Sequence, residues 1–162
     1  MALYLIGLGF TSKDMTLKAL EVIKKSSEVY FENYTTIGQF NLKDLENLCK
    51  KCIVVASREF IEQSDSYIRK AKNKNVSILF GGDPLLATTH TDILLHAKKL
   101  KVKTEVLHNS SVFSAVARTG LQLYKFGKTT SIPFSTDSYQ PETPYNILKE
   151  NLSISAHTLF LL

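Results

Sequence analysis

The sequence predicts an α/β fold: a mostly parallel sheet with helices on both faces, followed by the start of a second α/β domain. Three observations predict it. Short β-rich runs alternate with segments of helical apolar spacing. Glycine turns stand directly after the first and fourth strand patterns. Finally, 162 residues with 44% hydrophobic and 22% charged content suffice for one sizeable core. Right-handed crossovers are expected for parallel strands joined through helices.

In chain order, residues 3–6 read as a strand closed by the turn Gly7-Leu8-Gly9-Phe10. Asp14 or Thr16 caps a helix whose Leu17, Leu20 and Ile23 share a face. Glu28-Val29-Tyr30-Phe31 is a second strand, ended by the polar cluster Glu32-Asn33-Tyr34-Thr35-Thr36. Asn41 caps a short helix with Leu42, Leu45 and Leu48 on one side, and residues 52–56 make a third strand. A helix is expected over 61–72, with Ile61, Ile68 and Ala71 inward. The fourth strand, Val76-Ser77-Ile78-Leu79-Phe80, enters the turn Gly81-Gly82-Asp83-Pro84, and a helix pattern comes next over 92–100. Between them, Thr88-Thr89-His90 read as capping residues and a pocket wall. The fifth strand, 103–107, leads through His108-Asn109-Ser110-Ser111 into a helix over 112–120.

After Gly120 the texture changes. Residues 121–127 form a connector, 129–144 are rich in Ser and Thr and punctuated by proline, 145–151 resemble a short helix, and 157–162 read as an apolar strand. The expected organisation is a donor-binding α/β domain over 1–120, then a connector and the beginning of a second α/β domain over 121–162. An apolar strand that stops at Leu162 is read as a cut within that second domain.

Composition narrows the function classes. The net charge of +5 is carried by lysines, with Lys24-Lys25, Lys50-Lys51 and Lys98-Lys99 near helix ends, where cations suit the macrodipole. No aromatic stripe interleaves with them, so direct nucleic-acid binding is not expected. No apolar run is long enough to span a bilayer, and the apolar start lacks a basic leader, so no membrane association is expected and a cytoplasmic setting is. The sequons at Asn33, Asn109 and Asn151 then carry no consequence. Cys49-Lys50-Lys51-Cys52 is a lone CxxC without a second pair, read as two reduced thiols rather than a zinc site.

Several chemistries fit poorly. Gly7-Leu8-Gly9 begins a dinucleotide fingerprint, but Ser12 stands where its third glycine belongs. A Walker A loop is absent, and the four histidines are dispersed without metal-ligand spacing. Ser111, His108 and Asp83 could be assembled into a hydrolase triad, yet no G-x-S-x-G elbow supports it. What remains is a polar cleft at three strand ends: Gly7-Leu8-Gly9-Phe10, Gly81-Gly82-Asp83-Pro84 and Asn109-Ser110-Ser111. It offers backbone donors, small side chains and one carboxylate, but no evident nucleophile. Such a cleft suits a cationic or zwitterionic ligand and chemistry by positioning. Asp83 either accepts a hydrogen bond from that ligand or forms the turn as an Asx residue.

Leu3-Tyr4-Leu5-Ile6-Gly7-Leu8-Gly9, Gly82-Asp83-Pro84 before Ala87-Thr88-Thr89-His90, and His108-Asn109-Ser110-Ser111 together resemble the diphthine synthase family. So do residues 120–127 (GLQLYKFG) and 157–162 (HTLFLL). That family falls within the tetrapyrrole methylase-like, S-adenosylmethionine-dependent methyltransferases, and the likeness runs along essentially the whole chain. It implies two α/β domains with S-adenosylmethionine between them, and usually a homodimer. It also implies methylation of the 3-amino-3-carboxypropyl group on a histidine of elongation factor 2. Donor contacts carried over by motif fall on Phe10, Asp83, Leu86, Ser111, Val112 and Leu162, with Asn109 bounding the same pocket. Phe10 stands where many members have Leu, and Leu86 where a smaller residue is common. Further contacts, including those to adenine, are expected from chain beyond Leu162, so this stretch alone is expected to bind weakly and not turn over. No residue is assigned as catalytic, because a sulfonium methyl needs alignment rather than a protein nucleophile. The contrasting reading is a non-catalytic α/β module for binding or dimerisation, associating through the apolar connector 121–126.

Overall fold

The computed structural model describes residues 1–35, 40–134 and 139–162. The end of the polar cluster at Thr36 and part of the Ser/Thr-rich stretch, 135–138, lie outside the described residues. The chain divides into two compact units, Met1–Phe113 and Ser114–Leu162.

The first unit is a five-stranded parallel sheet built from β1 (Leu3–Gly7), β2 (Glu28–Glu32), β3 (Val54–Ala56), β4 (Val76–Phe80) and β5 (Thr104–Leu107). Its order is β3-β2-β4-β1-β5, with Leu5 opposite Ile78 and Val106, and Tyr30 opposite Ile78. Both faces are covered, and side chains alternate between two cores because the pleat has period two. Leu3, Leu5, Tyr30, Ile78 and Phe80 enter one core, while Ile6, Val29, Phe31 and Leu79 enter the other. The first core is closed by α3 (Arg58–Gln63), α4 (Ser66–Lys70) and α5 (Thr91–Lys99) through Ile61, Tyr67, Ile68, Ile93 and Ala97. The second is closed by α1 (Leu17–Lys25) and α2 (Leu42–Cys49) through Ala19, Ile23, Leu45 and Cys49. The expected mostly parallel sheet with helices on both faces is therefore what the chain forms.

Local chemistry explains the departures in detail. Thr16, not Asp14, caps α1, its hydroxyl accepting from Ala19 N at 3.1 Å; Asp14 instead closes a 3-10 turn (Ser12–Asp14) in a capping box with Thr11. The single helix expected over 61–72 is two helices. Ser64 adopts extended backbone, and its hydroxyl accepts from Ser66 N at 3.2 Å, so a side chain competes with the helical ladder. The helix expected over 112–120 is α6 (Val112–Ala115) followed by a 3-10 turn (Val116–Thr119) that ends at Gly120, with φ +89°.

In the second unit, β6 (Thr130–Ser131) pairs in parallel with β7 (Phe160–Leu161), and α7 (Thr143–Ser153) contributes the buried Asn151. The Asn151 Oδ1 accepts from Lys128 N at 2.9 Å, while its Nδ2 donates to Lys128 O at 2.8 Å and Thr158 Oγ1 at 2.9 Å. A Cβ on Gly127 would lie 2.2 Å from Asn151 Oδ1, so this approach requires glycine.

Asn151→Ala strands the Lys128 amide and carbonyl and is expected to destabilise the second unit by about 2–4 kcal/mol, read as lost hydrogen-exchange protection at Lys128 and Ala156. Glu28, at the start of β2, accepts from Tyr30 Oη at 2.5 Å, from Lys70 Nζ at 2.9 Å and from Lys74 Nζ. Burial acts to raise its carboxyl, but the hydrogen bonds from Lys74, Tyr30 and Lys70 outweigh it and hold it at about 2, below the ordinary 4.5. A carboxyl lowered on folding contributes stability that is complete above about pH 4.5 and is lost as pH falls toward 2. Glu28→Gln should flatten that part of an acid-unfolding curve.

Candidate functional site

The strand order creates the site. The chain leaves β1 through α1 toward β2, passing over one face of β4; it leaves β4 through α5 toward β5, passing over the opposite face of β1. The carboxyl ends of two adjacent strands thus send their connections apart, and a crevice opens between them. Its two sides are the predicted glycine turns. The amide of Gly9 donates to Gly82 O at 3.1 Å, and the Gly82 amide donates back to Gly9 O at 2.7 Å. Both residues have positive φ, +75° and +71°. A Cβ on Gly7 would stand 2.6 Å from Gly82 O, so the two turns touch only because Gly7 has none.

The third loop, after β5, is fastened to the other two by side chains. Asp83 is 3% exposed and uses both carboxylate oxygens: Oδ1 accepts from Leu85 N at 2.9 Å, and Oδ2 accepts from Asn109 N at 3.1 Å. The same Oδ2 lies 2.8 Å from His108 Nδ1, which donates because a carboxylate accepts. Asn109 Nδ2 crosses to Gly7 O and Asp14 O, each at 3.0 Å, tying the first turn to the third loop. Ser111 is buried and caps the start of α6, its Oγ accepting from Phe113 N at 3.3 Å. A Cβ on Gly82 would be 3.9 Å from the Ser111 Cα.

Five of the six sequence-predicted contact residues stand on these loops or directly after them: Phe10, Asp83, Leu86 and Ser111, with Val112 opening α6. Three are large apolar side chains left in solvent, Phe10 at 46%, Leu86 at 44% and Val112 at 37% exposed. Asp83 forms an Asx turn with Leu85 N, and its other oxygen reaches the loop after β5. Leu162 belongs to the second unit, comes after β7, and is fully exposed. Of the hydrolase arrangement weighed from sequence, the Asp83–His108 pair forms. The role of His108 and Asn109 as partners of Asp83, across 25 and 26 residues, has no local signal in the sequence. Thr88 and His90 serve the turn itself: Thr88 Oγ1 donates to Pro84 O at 3.0 Å, and His90 Nδ1 stands 3.1 Å from the same oxygen. Ala87 takes φ +59°, a left-handed conformation that costs an alanine strain and is held by these bonds.

The arrangement offers three loops fastened together through a covered carboxylate, with the apolar side chains of Phe10, Leu86 and Val112 exposed beside them. It can hold and orient a ligand with an apolar ring and polar groups.

Comparison with known proteins agrees with that geometry. The family model for tetrapyrrole (corrin/porphyrin) methylases matches residues 2–162. The diphthine methyl ester synthase of Schizosaccharomyces pombe is 45% identical over 161 residues, covering 98% of this chain and 57% of the relative. The diphthine synthase of Methanocaldococcus jannaschii is 46% identical over 163 residues, covering 99% and 63%. A crystal structure of diphthine synthase superposes with a TM-score of 0.89 at 38% identity, covering 98% of this chain and 62% of that one. The chain therefore spans less than two thirds of the length of these relatives. With a family model matched along nearly all of its residues and the sheet, turns and crevice in place, the chain belongs to the tetrapyrrole methylase family.

Proposed function

We propose that this chain is the donor-binding part of an S-adenosylmethionine-dependent methyltransferase of diphthamide biosynthesis. Its acceptor is the 3-amino-3-carboxypropyl-modified histidine of elongation factor 2, and it works in the cytoplasm as a homodimer. The observation that carries the reading is the crevice: three loops locked by Asp83 and Asn109, with Phe10, Leu86 and Val112 exposed around them. Relatives bearing the diphthine synthase name over almost the whole of this sequence supply the reaction class.

When bound, S-adenosylmethionine supplies a methyl group already activated on a sulfonium. The residues fit such a donor. Gly7, Gly9 and Gly82 let the turns that frame the site close on one another, and the exposed apolar side chains would take an adenine or ribose face out of water. Asp83 acts from beneath, holding the turn and the loop after β5 at one spacing. Rigid loops spare the ligand the cost of ordering them, and alignment is the main contribution such a transfer needs from a protein. Leu162 is assigned to the donor site on the family resemblance.

Titration with S-adenosylmethionine or its demethylated product at millimolar concentration is expected to give saturable amide shifts at Gly9, Phe10, Gly82, Asp83, Leu86, Ser111 and Val112. Val112→Ala and Phe10→Ala should each weaken binding about fivefold, the equivalent of roughly 1 kcal/mol of lost apolar contact, with the unfolding midpoint unchanged because both side chains are exposed. Asp83→Ala should lower both affinity and stability. No response in those loops would refute the reading; self-association that ignores the ligand would favour a non-catalytic dimerisation module.

A further inference from the structure

Cations are not spread evenly over the first unit. All five strands run parallel, so the connections that enter them share one end of the sheet and those that leave share the other. The four entering connections that follow a helix, residues 24–28, 49–54, 69–76 and 98–104, carry twelve of the chain's 20 lysines and arginines and a single carboxylate, Glu28. The leaving connections, residues 8–16, 33–41, 57, 81–90 and 108–111, carry one cation, Lys13.

The entering connections are bonded into one surface. Ser27 N donates to Asn75 O at 2.8 Å, and Asn75 Oδ1 accepts from Ala2 N at 3.2 Å. Leu3 N donates to Lys103 O at 2.9 Å, and Lys51 Nζ donates to Ser26 O at 2.9 Å. Glu28 is taken up by Lys70, at 2.9 Å, and by Lys74, while Arg69 pairs with Asp65 at 2.7 Å. Lys24, Lys25, Lys50, Lys72 and the lysines of 98–103 are exposed and make no ion pair among the described residues. A lysine at a helix end complements the macrodipole, but that effect fades beyond the last turn. Lys72, Lys101 and Lys103 stand past the ends of α4 and α5. Lys50 and Lys101 also take φ +53° and +56°, the left-handed conformation in which glycine is least strained, so charge is placed there against backbone preference.

We propose that this amino edge of the sheet docks an extended acidic segment of another protein, whose carboxylates meet the unpaired lysine ammoniums. Five strands about 4.8 Å apart set the outer connections about 19 Å from one another, the reach of about six extended residues at about 3.3 Å each. Nucleic acid fits less well. The one arginine on the edge, Arg69, is held by Asp65, so no bidentate fork is free for phosphate, and the four connections hold no aromatic side chain on which a base could stack. The edge is separated from the donor crevice by the length of the strands, about 17 Å for five residues, so failure of either reading leaves the other standing.

The test is titration of ¹⁵N-labelled protein with acetyl-hexaglutamate amide at about 0.1 M ionic strength, where the screening length is about 10 Å. Saturable amide shifts are expected at Lys50, Lys72, Lys101 and Lys103, with Gly9, Gly82 and Asn109 unmoved, and binding should weaken as salt rises. Lys72→Gln with Lys103→Gln is expected to weaken binding about fivefold to tenfold. Lys13→Gln with Lys43→Gln removes the same charge from exposed positions outside the edge and should change binding less than about twofold. All four side chains are exposed and without ion pairs among the described residues, so the unfolding midpoint should hold in both variants. Silence at the edge up to about 10 mM peptide, a response centred on the donor loops, or equal loss in the two double variants would each overturn the proposal. Tighter binding of a short RNA duplex than of the peptide at the same salt would also overturn it and assign the edge to nucleic acid.

Discussion

The carboxylate of Asp83 is the constraint on which the site depends. Beyond the last sheet hydrogen bonds, the first two loops share only the Gly9–Gly82 bridge and the loop after β5 joins them through side chains, so without those bonds it would sample many conformations. One oxygen of Asp83 holds its own turn through Leu85 N, and the other holds the loop after β5 through Asn109 N and His108 Nδ1. Asn109 then carries the restraint to Gly7 O, 102 residues away in sequence. A buried carboxylate is tolerable only when its lone pairs are occupied in this way. The ordering cost is met during folding, and a ligand arriving at the crevice meets loops already at their spacing.

That constraint has force because of where the topology puts it. In a sheet ordered β3-β2-β4-β1-β5, β4 is the central strand and β1 lies beside it, and the connections out of these two diverge to opposite faces. Had both connections left on one side, helix backbone would fill the space above the strand ends. Divergence leaves it open, and Gly7 lets the flanking turns approach until Gly9 and Gly82 pair. The glycines bring the turns together, and Asp83 with Asn109 prevents them from parting.

The parallel sheet, the glycine turns and the identity of the three loops were legible in the sequence because each rests on local information. Strands alternate with helical spacing, and Gly81-Gly82-Asp83-Pro84 is a turn by its own chemistry. Strand order was not legible, since nothing in β2 names β4 as its neighbour. The helix break at Ser64 depended on a hydroxyl choosing the Ser66 amide over solvent, a contest of order 1 kcal/mol that apolar spacing over 61–72 does not register. The partners of Asp83 are non-local, so its residue type suggested either a ligand contact or an Asx turn, and only the fold joins it to His108 and Asn109. Thr88-Thr89-His90 read as capping residues and a pocket wall, but no side chain caps α5, and the bond of His90 Nδ1 to Pro84 O, like its place in a cavity between α3, α4 and α5, has no local signal.

The turn that carries Asp83 is held from both sides, and this joins the two concave regions of the first unit. Pro84 is next to Asp83 in the chain, and its carbonyl accepts from Thr88 Oγ1 and His90 Nδ1. The His90 ring lies 4.2 Å from that of Phe80, the last residue of β4, and lines the cavity between α3, α4 and α5. A shift of that ring must move Pro84 O or break its bond, and a shift of Pro84 moves the neighbouring carboxylate that spaces the crevice. Close packing leaves such a chain few intermediate positions. Strain at Ala87, whose φ of +59° is unfavourable for alanine, persists because these bonds over-determine the turn. His90 thus adds, through Pro84 O, to the restraint that Asp83 and Asn109 place on the turn.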